Sequence, residues 1–139
     1  MIILNYLLFA IFLCLSIIHV SWALGSSWGF EDAIPKNDKG EWMLKPKKRD
    51  SLIVGAGLLL FGLFYLITGN ILQISLPPFA IKATSWMIPI IFLFRAIGDF
   101  RYIGFTKKVK TTAFARKDTL FYSPLCLSIA VIGFILGIS

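Results

Sequence analysis

Five residues of this chain have side chains suited to chemistry at a membrane boundary: His19, Arg95, Asp99, Asp118 and Tyr122. An imidazole exchanges a proton near neutrality, a guanidinium holds a phosphate or carboxylate through paired N–H groups, and a carboxylate can orient the imidazole. Arg95, Asp99 and Tyr102 share one helical face at i, i+4 and i+7 if the helix runs through Tyr102, and His19 shares a face with Trp22. Charges inside a span cost several kcal/mol unless paired or wet, so these faces should look into a bundle. The spacing predicts a polar pocket lined by His19, Trp22, Arg95, Asp99, Tyr102, Asp118 and Tyr122. The competing reading pairs Arg95 with Asp99 at the interface and leaves no pocket. No nucleophile-plus-base motif, phosphate loop or zinc spacing accompanies the five, so no metal is expected and no cofactor is indicated. Cys14 and Cys126 are the only cysteines and both fall in apolar runs. They read as small buried apolar residues, although their similar depth leaves a contact open.

The elements that must hold these residues are legible from composition. Of 139 residues 58% are hydrophobic and 15% charged, and the mean hydropathy of +0.82 is far above that of a soluble domain. A hydrocarbon layer about 30 Å thick needs roughly 20 apolar helical residues. Runs at about 2–24, 51–75, 79–100 and 118–138 meet that need. The expectation is an all-α, four-helix transmembrane bundle forming a single integral domain over 1–139, with polar linkers at 25–50 and 101–117.

The net charge of +7 is unevenly spread, and that pattern excludes one class of partner. Six of the fourteen basic residues lie in the first linker and seven between Arg95 and Lys117. With four spans those two connections share a side, so the positive-inside rule places both in the cytoplasm and both termini outside. Lys47, Lys48, Arg49, Lys107, Lys108, Lys110, Arg116 and Lys117 then read as topology anchors that touch anionic lipid. No aromatic and basic motif accompanies them, so a nucleic-acid partner is not expected. Ser21 to Ala23 resembles a cleavage site after an apolar run. However, residues 2–18 carry no Lys or Arg and the run exceeds a signal core, so the first segment reads as a retained helix.

Gly25, Ser26 and Ser27 should end the first helix. The linker after it reads as irregular loop, with Trp28, Phe30 and Trp42 folding back onto the bundle or lying in the headgroups. Asp50 or Ser51 is the expected N-cap of the second helix, whose Gly55, Gly57 and Gly62 offer close approach to a neighbour. Asn70 and Gln73 lie near its outer end. The short SLPPF turn predicts that the second and third helices form an antiparallel pair, and Pro89 predicts a kink in the third. Starting the fourth helix at Ser123 and Pro124 leaves only about 22 Å of helix, too short to cross. Asp118 is therefore the expected N-cap and Pro124 an internal kink that frees the Leu120 carbonyl. Gly133 and Gly137 form a GxxxG pair suited to helix packing.

The stretches HVSWALG at 19–25, FRAIGDFRYIGFTKKVKTTAFARKDT at 94–119 and YSPLCL at 122–127 closely resemble the small bacterial membrane proteins grouped as domain-of-unknown-function family 3995. The resemblance runs through essentially the whole chain in order, including Ala33 to Pro35. It implies a four-span integral protein of a bacterial plasma membrane and assigns no activity. Three functions remain open: a membrane module binding an anionic small molecule or lipid headgroup, an enzyme acting on a lipid or quinone with His19 as acid or base, and a structural partner subunit. Four helices leave little room for a conduit, which makes a homodimer the expected assembly for any transport role.

Overall fold

The structure, a computed structural model, describes residues 1–43, 47–98 and 103–139. Four helices long and apolar enough to cross a bilayer make up most of it: α1 (Ile2–Ala23), α2 (Lys48–Thr68), α3 (Pro78–Ile97) and α4 (Ala113–Ile138). No strand occurs among the described residues, and a single isolated bridge joins Lys36 to Trp42.

Helix ends follow local chemistry more closely than span length does. α1 stops at a Schellman cap in which Gly25 has φ +105°, the Ser26 N–H donates to the Ser21 carbonyl at 2.9 Å and the Gly25 N–H to the Trp22 carbonyl at 3.1 Å. α2 ends the same way at Thr68, with Asn70 at φ 57° in the left-handed position and Ile71 N–H donating to the Leu66 carbonyl at 2.9 Å. Asn70 and Gln73 therefore lie in the connection, not in the helix as expected. α2 begins at Lys48, and Asp50 acts from its third position by accepting the Lys47 N–H at 2.9 Å. α3 ends at Ile97 because Gly98 takes φ +90°, which a helix cannot continue. The third span, expected to run to about 100, thus ends as a helix at Ile97; Asp99 and Tyr102, whose shared face with Arg95 required the helix to continue, lie outside the described residues.

The helices pair as α1 with α2 and α3 with α4, not α2 with α3 as the short proline turn suggested. Glycine spacing explains the first pair. Gly55, Gly62 and Gly69 recur every seven residues and meet α1 in turn: an added Cβ would lie 2.9 Å from Val20 Cγ2, 3.2 Å from Phe12 Cβ and 3.0 Å from Asn5 Cβ. Without a hydrophobic force between helices in lipid, such close backbone approach is the main source of association. Ser16 Oγ donates to the Gly55 carbonyl at 2.7 Å and Thr68 Oγ1 to Asn5 Oδ1 at 3.0 Å, joining the seam near both ends. In the second pair Gly133 abuts Pro89, and a Cβ added to Gly137 would lie 3.2 Å from the Ser85 carbonyl oxygen. The GxxxG pattern is thus used inside the chain.

The two pairs meet at Phe12, whose ring lies 5.3 Å from Phe92, 5.8 Å from Phe61 and 6.0 Å from Tyr65. Leu8, Ile88 and Ile129 fill the space around this cluster and are fully buried. Toward the end carrying the two long linkers the pairs separate, and a cleft opens between them.

Candidate functional site

α4 is built differently from its sequence expectation, and the difference forms the site. It starts at Ala113, where the Thr112 hydroxyl accepts the Ala115 N–H at 3.1 Å, so Asp118 is inside the helix and not its cap. From Asp118 to Tyr122 the helix widens into a π turn before Pro124. In the widened turn the Ser123 N–H donates to the Asp118 carbonyl, which brings residues five apart into register. Ser123 Oγ accordingly donates to Asp118 Oδ1 at 2.9 Å.

Asp118 is fully buried and has every oxygen occupied. Arg95 Nη2 donates to Oδ1 at 2.9 Å; the Gly104 N–H donates to Oδ2 at 2.6 Å, and Lys107 Nζ lies 3.3 Å from the same oxygen. Lys107 also donates to the Gly104 carbonyl at 3.0 Å and to the Thr119 hydroxyl, with only 2% of its side chain exposed. Gly98 and Gly104 make the arrangement fit, since a Cβ on Gly104 would fall 2.5 Å from Gly98 Cα. Their close contact lets Phe105 and Thr106 donate back to the Ala96 and Ile97 carbonyls, closing the end of α3. One carboxylate between two cations leaves an excess positive charge. Arg95 carries it toward the cleft: its side chain is 30% exposed, and its Nη1 is buried with no hydrogen-bond partner among the described residues.

The cleft encloses about 1010 Å³. Its walls are mostly apolar, including Leu15, Val54, Leu58, Phe61, Ile91 and Leu125, and its wide end carries His19, Trp22, Arg95, Lys117 and Tyr122. Gly57 leaves part of the wall open, with nothing within 4 Å of an added Cβ. From Lys117 to Cys126 along α4 the lining spans nine helical steps, about 13 Å and less than half of a hydrocarbon layer. His19 Nδ1 lies 2.8 Å from the Leu15 carbonyl, which can only accept. Nδ1 is therefore the donor of that bond, and the tautomer with its proton there presents Nε2 as an acceptor.

A strap from the first linker crosses the wide end. Trp22 Nε1 donates to the Trp28 carbonyl at 2.7 Å, and the ring of Phe30 packs edge-on to Trp22 at 5.5 Å. A 3-10 turn at Glu31–Ala33 then presents Asp32 to Lys117, whose Nζ donates to Oδ2. That hydrogen bond holds the Asp32 carboxyl below its ordinary pKa of 3.8, against the opposing effect of partial burial and with further help from the charges of Lys117 and Lys36. Tyr122 Oη lies 3.5 Å from the Asp32 carbonyl oxygen. Asp32, Asp118, Arg95 and Lys117 all lie near enough to act electrostatically on Tyr122.

Residues 12–133 match the family model described as a protein of unknown function (DUF3995). The chain belongs to that family. No curated protein and no solved structure matches it.

In this DUF3995 chain the five expected pocket residues that the structure describes take distinct positions. His19, Trp22, Arg95 and Tyr122 border the cleft together. Asp118 does not line it; it lies behind the wall as the counter-ion that fixes Arg95. Lys107, expected as a lipid-facing anchor, is buried on that same carboxylate, because its stem folds back beside Gly104. Lys117, expected in the same role, lines the cleft and pairs with Asp32. Lys47, Lys48, Arg49, Lys108, Lys110 and Arg116 are exposed. Asp32, Gly104 and Ser123 were not expected at the site. Only the two glycines of IGDFRYIG gave a signal for the second, since their close contact leaves no room for a Cβ. Cys126 lines the cleft while Cys14 is exposed on α1.

Proposed function

We propose that this protein is a small membrane module that binds an anionic small molecule or lipid headgroup in the cleft between its helix pairs. The observation that carries the reading is Arg95: a guanidinium fixed by a buried aspartate and 30% exposed, at the polar end of an apolar cavity. The exposed part of such a guanidinium can donate charge-assisted hydrogen bonds to an anionic oxygen. By the positive-inside rule the wide end faces the cytoplasm. The cleft is completed within one chain, so binding does not require a homodimer. The test is identification of lipids and small molecules that copurify with the protein, compared with Arg95→Ala. An anionic species present with the wild type and lost from the variant is the expected result; identical profiles would remove the reading.

A second reading has its own observation. His19 offers Nε2 as an acceptor in the same cleft, the position of a general base toward a bound hydroxyl or acid. Turnover of a lipid or quinone that disappears in His19→Ala while binding persists would favour an enzyme.

A further inference from the structure

The strap that closes the wide end already places one anion at the cleft, and the charge balance around it points to the class of ligand. Among the described residues the ion-paired groups are Arg95, Lys107 and Lys117 against Asp118 and Asp32, one positive charge in excess, with Lys36 acting on Asp32 from outside these pairs. Lys107 and Asp118 are buried and exchange nothing with solvent. Asp32 and Lys117 are different, with side chains 38% and 44% exposed, and Asp32 belongs to a three-residue turn outside the four long helices. If Asp32 leaves, Lys36 is the cation next to it, so its carboxylate is not stranded. Two positive charges then face the ligand site, from Arg95 and Lys117.

Resting on the binding reading above, we propose that the ligand is an amphiphile with a phosphate-monoester headgroup, and that this headgroup takes the place of the Asp32 carboxylate on Lys117 while Arg95 holds a second oxygen. A phosphate monoester carries a charge of about −1.5 to −2 at neutral pH, which matches the two cations uncovered. A carboxylate or phosphodiester would only replace one single charge by another. Arginine and lysine together suit phosphate, the first through its fork of N–H groups and the second as a point charge. The apolar part of the ligand lies along Leu15, Val54, Leu58 and Phe61 and stops at the aromatic cluster around Phe12. Asp32 acts as a specificity residue, because any headgroup must compete with it.

The experiment uses the full chain in neutral detergent micelles, with binding read by intrinsic tryptophan fluorescence. The probes are a single-chain lipid phosphate monoester, the matching phosphoglycerol and phosphocholine lipids, and inorganic phosphate. Saturable binding of the monoester, at least tenfold tighter than the other three probes, is expected. Asp32→Asn should tighten it about two- to fivefold, the range set by releasing a half-exposed ion pair. Lys117→Gln should weaken it several-fold, and Gly57→Leu, which fills the cleft without touching a charge, should weaken it as well. If Arg95→Lys and Gly57→Leu both leave every probe unaffected, the cleft-binding reading itself fails. If those variants weaken binding but Asp32→Asn does not tighten it, displacement of Asp32 is overturned alone. Equal affinity for the phosphoglycerol lipid overturns the monoester class, and equal affinity for inorganic phosphate overturns the amphiphile.

Discussion

A carboxylate with four donors on its two oxygens sits at the centre of this site, and its removal has a calculable consequence. Asp118 neutralises one of two cations, and Lys107 has almost no access to solvent. Breaking a buried ion pair by removing one partner typically costs about 3–5 kcal/mol, because the other charge remains buried. Asp118→Ala should therefore lower stability by about that amount in detergent thermal denaturation, whereas Lys108→Ala, at an exposed position, should change it by less than about 0.5 kcal/mol. Asp32 behaves oppositely. Its folded pKa lies below 3.8 because of Lys117, so the contact contributes fully above that ordinary value and is lost as pH falls through the depressed one. In a background with Trp42→Phe, Trp86→Phe and His19→Gln, which leaves only Trp22 and Trp28 and removes the imidazole 4.8 Å from Trp22, fluorescence should hold steady from neutral pH to about 4 and shift below it; Asp32→Asn should show the shifted signal at all pH values. His19, Arg95 and Tyr122 were recognisable in sequence because ionisable groups are rare in apolar runs. Asp32 was not, because it is one of several acids in a polar linker and only the folded turn selects it.

At the level of elements, close contact between backbones does most of the positioning. Gly133→Leu should separate α4 from α3, because even a Cβ there would lie 2.9 Å from Pro89 Cβ. A loss of about 1–3 kcal/mol is expected from such overpacking, measured by denaturation in detergent. Gly57→Leu should leave stability near wild type, since its surroundings are open. The four helices were legible because hydrophobic length is a coarse property that side-chain detail does not overturn. Their ends were less so. Asn70 ends α2 through a left-handed cap, Gly98 ends α3, and Thr112 starts α4 well before the expected aspartate. Each boundary was set by capping chemistry inside a run whose hydropathy suggested otherwise. Pairing was also missed, since a short connection implies neighbours while the glycine repeat on α2 decides which face has one.

Considered as a whole, the chain brings its first and third connections together, as the contact between Asp32 and Lys117 requires. In a background without Cys14 and Cys126, Asp38→Cys and Lys110→Cys should therefore respond alike to a membrane-impermeant thiol reagent applied to intact cells, and Gln73→Cys should respond oppositely. By the positive-inside rule only the last should be labelled. A chain with Asp38 and Lys110 on different sides would contradict the arrangement of the helices. The widened turn in α4 has a further consequence at this scale. It inserts one residue beyond a regular helix, and one residue corresponds to a rotation of about 100°. The two halves of α4 are thereby set out of phase, one addressing Arg95 and the other addressing Pro89 and Ser85. Removing Leu120 would make the helix regular and force a choice: a chain can keep its charged junction or its close fit to the neighbouring helix, and whichever is given up would turn toward the lipid.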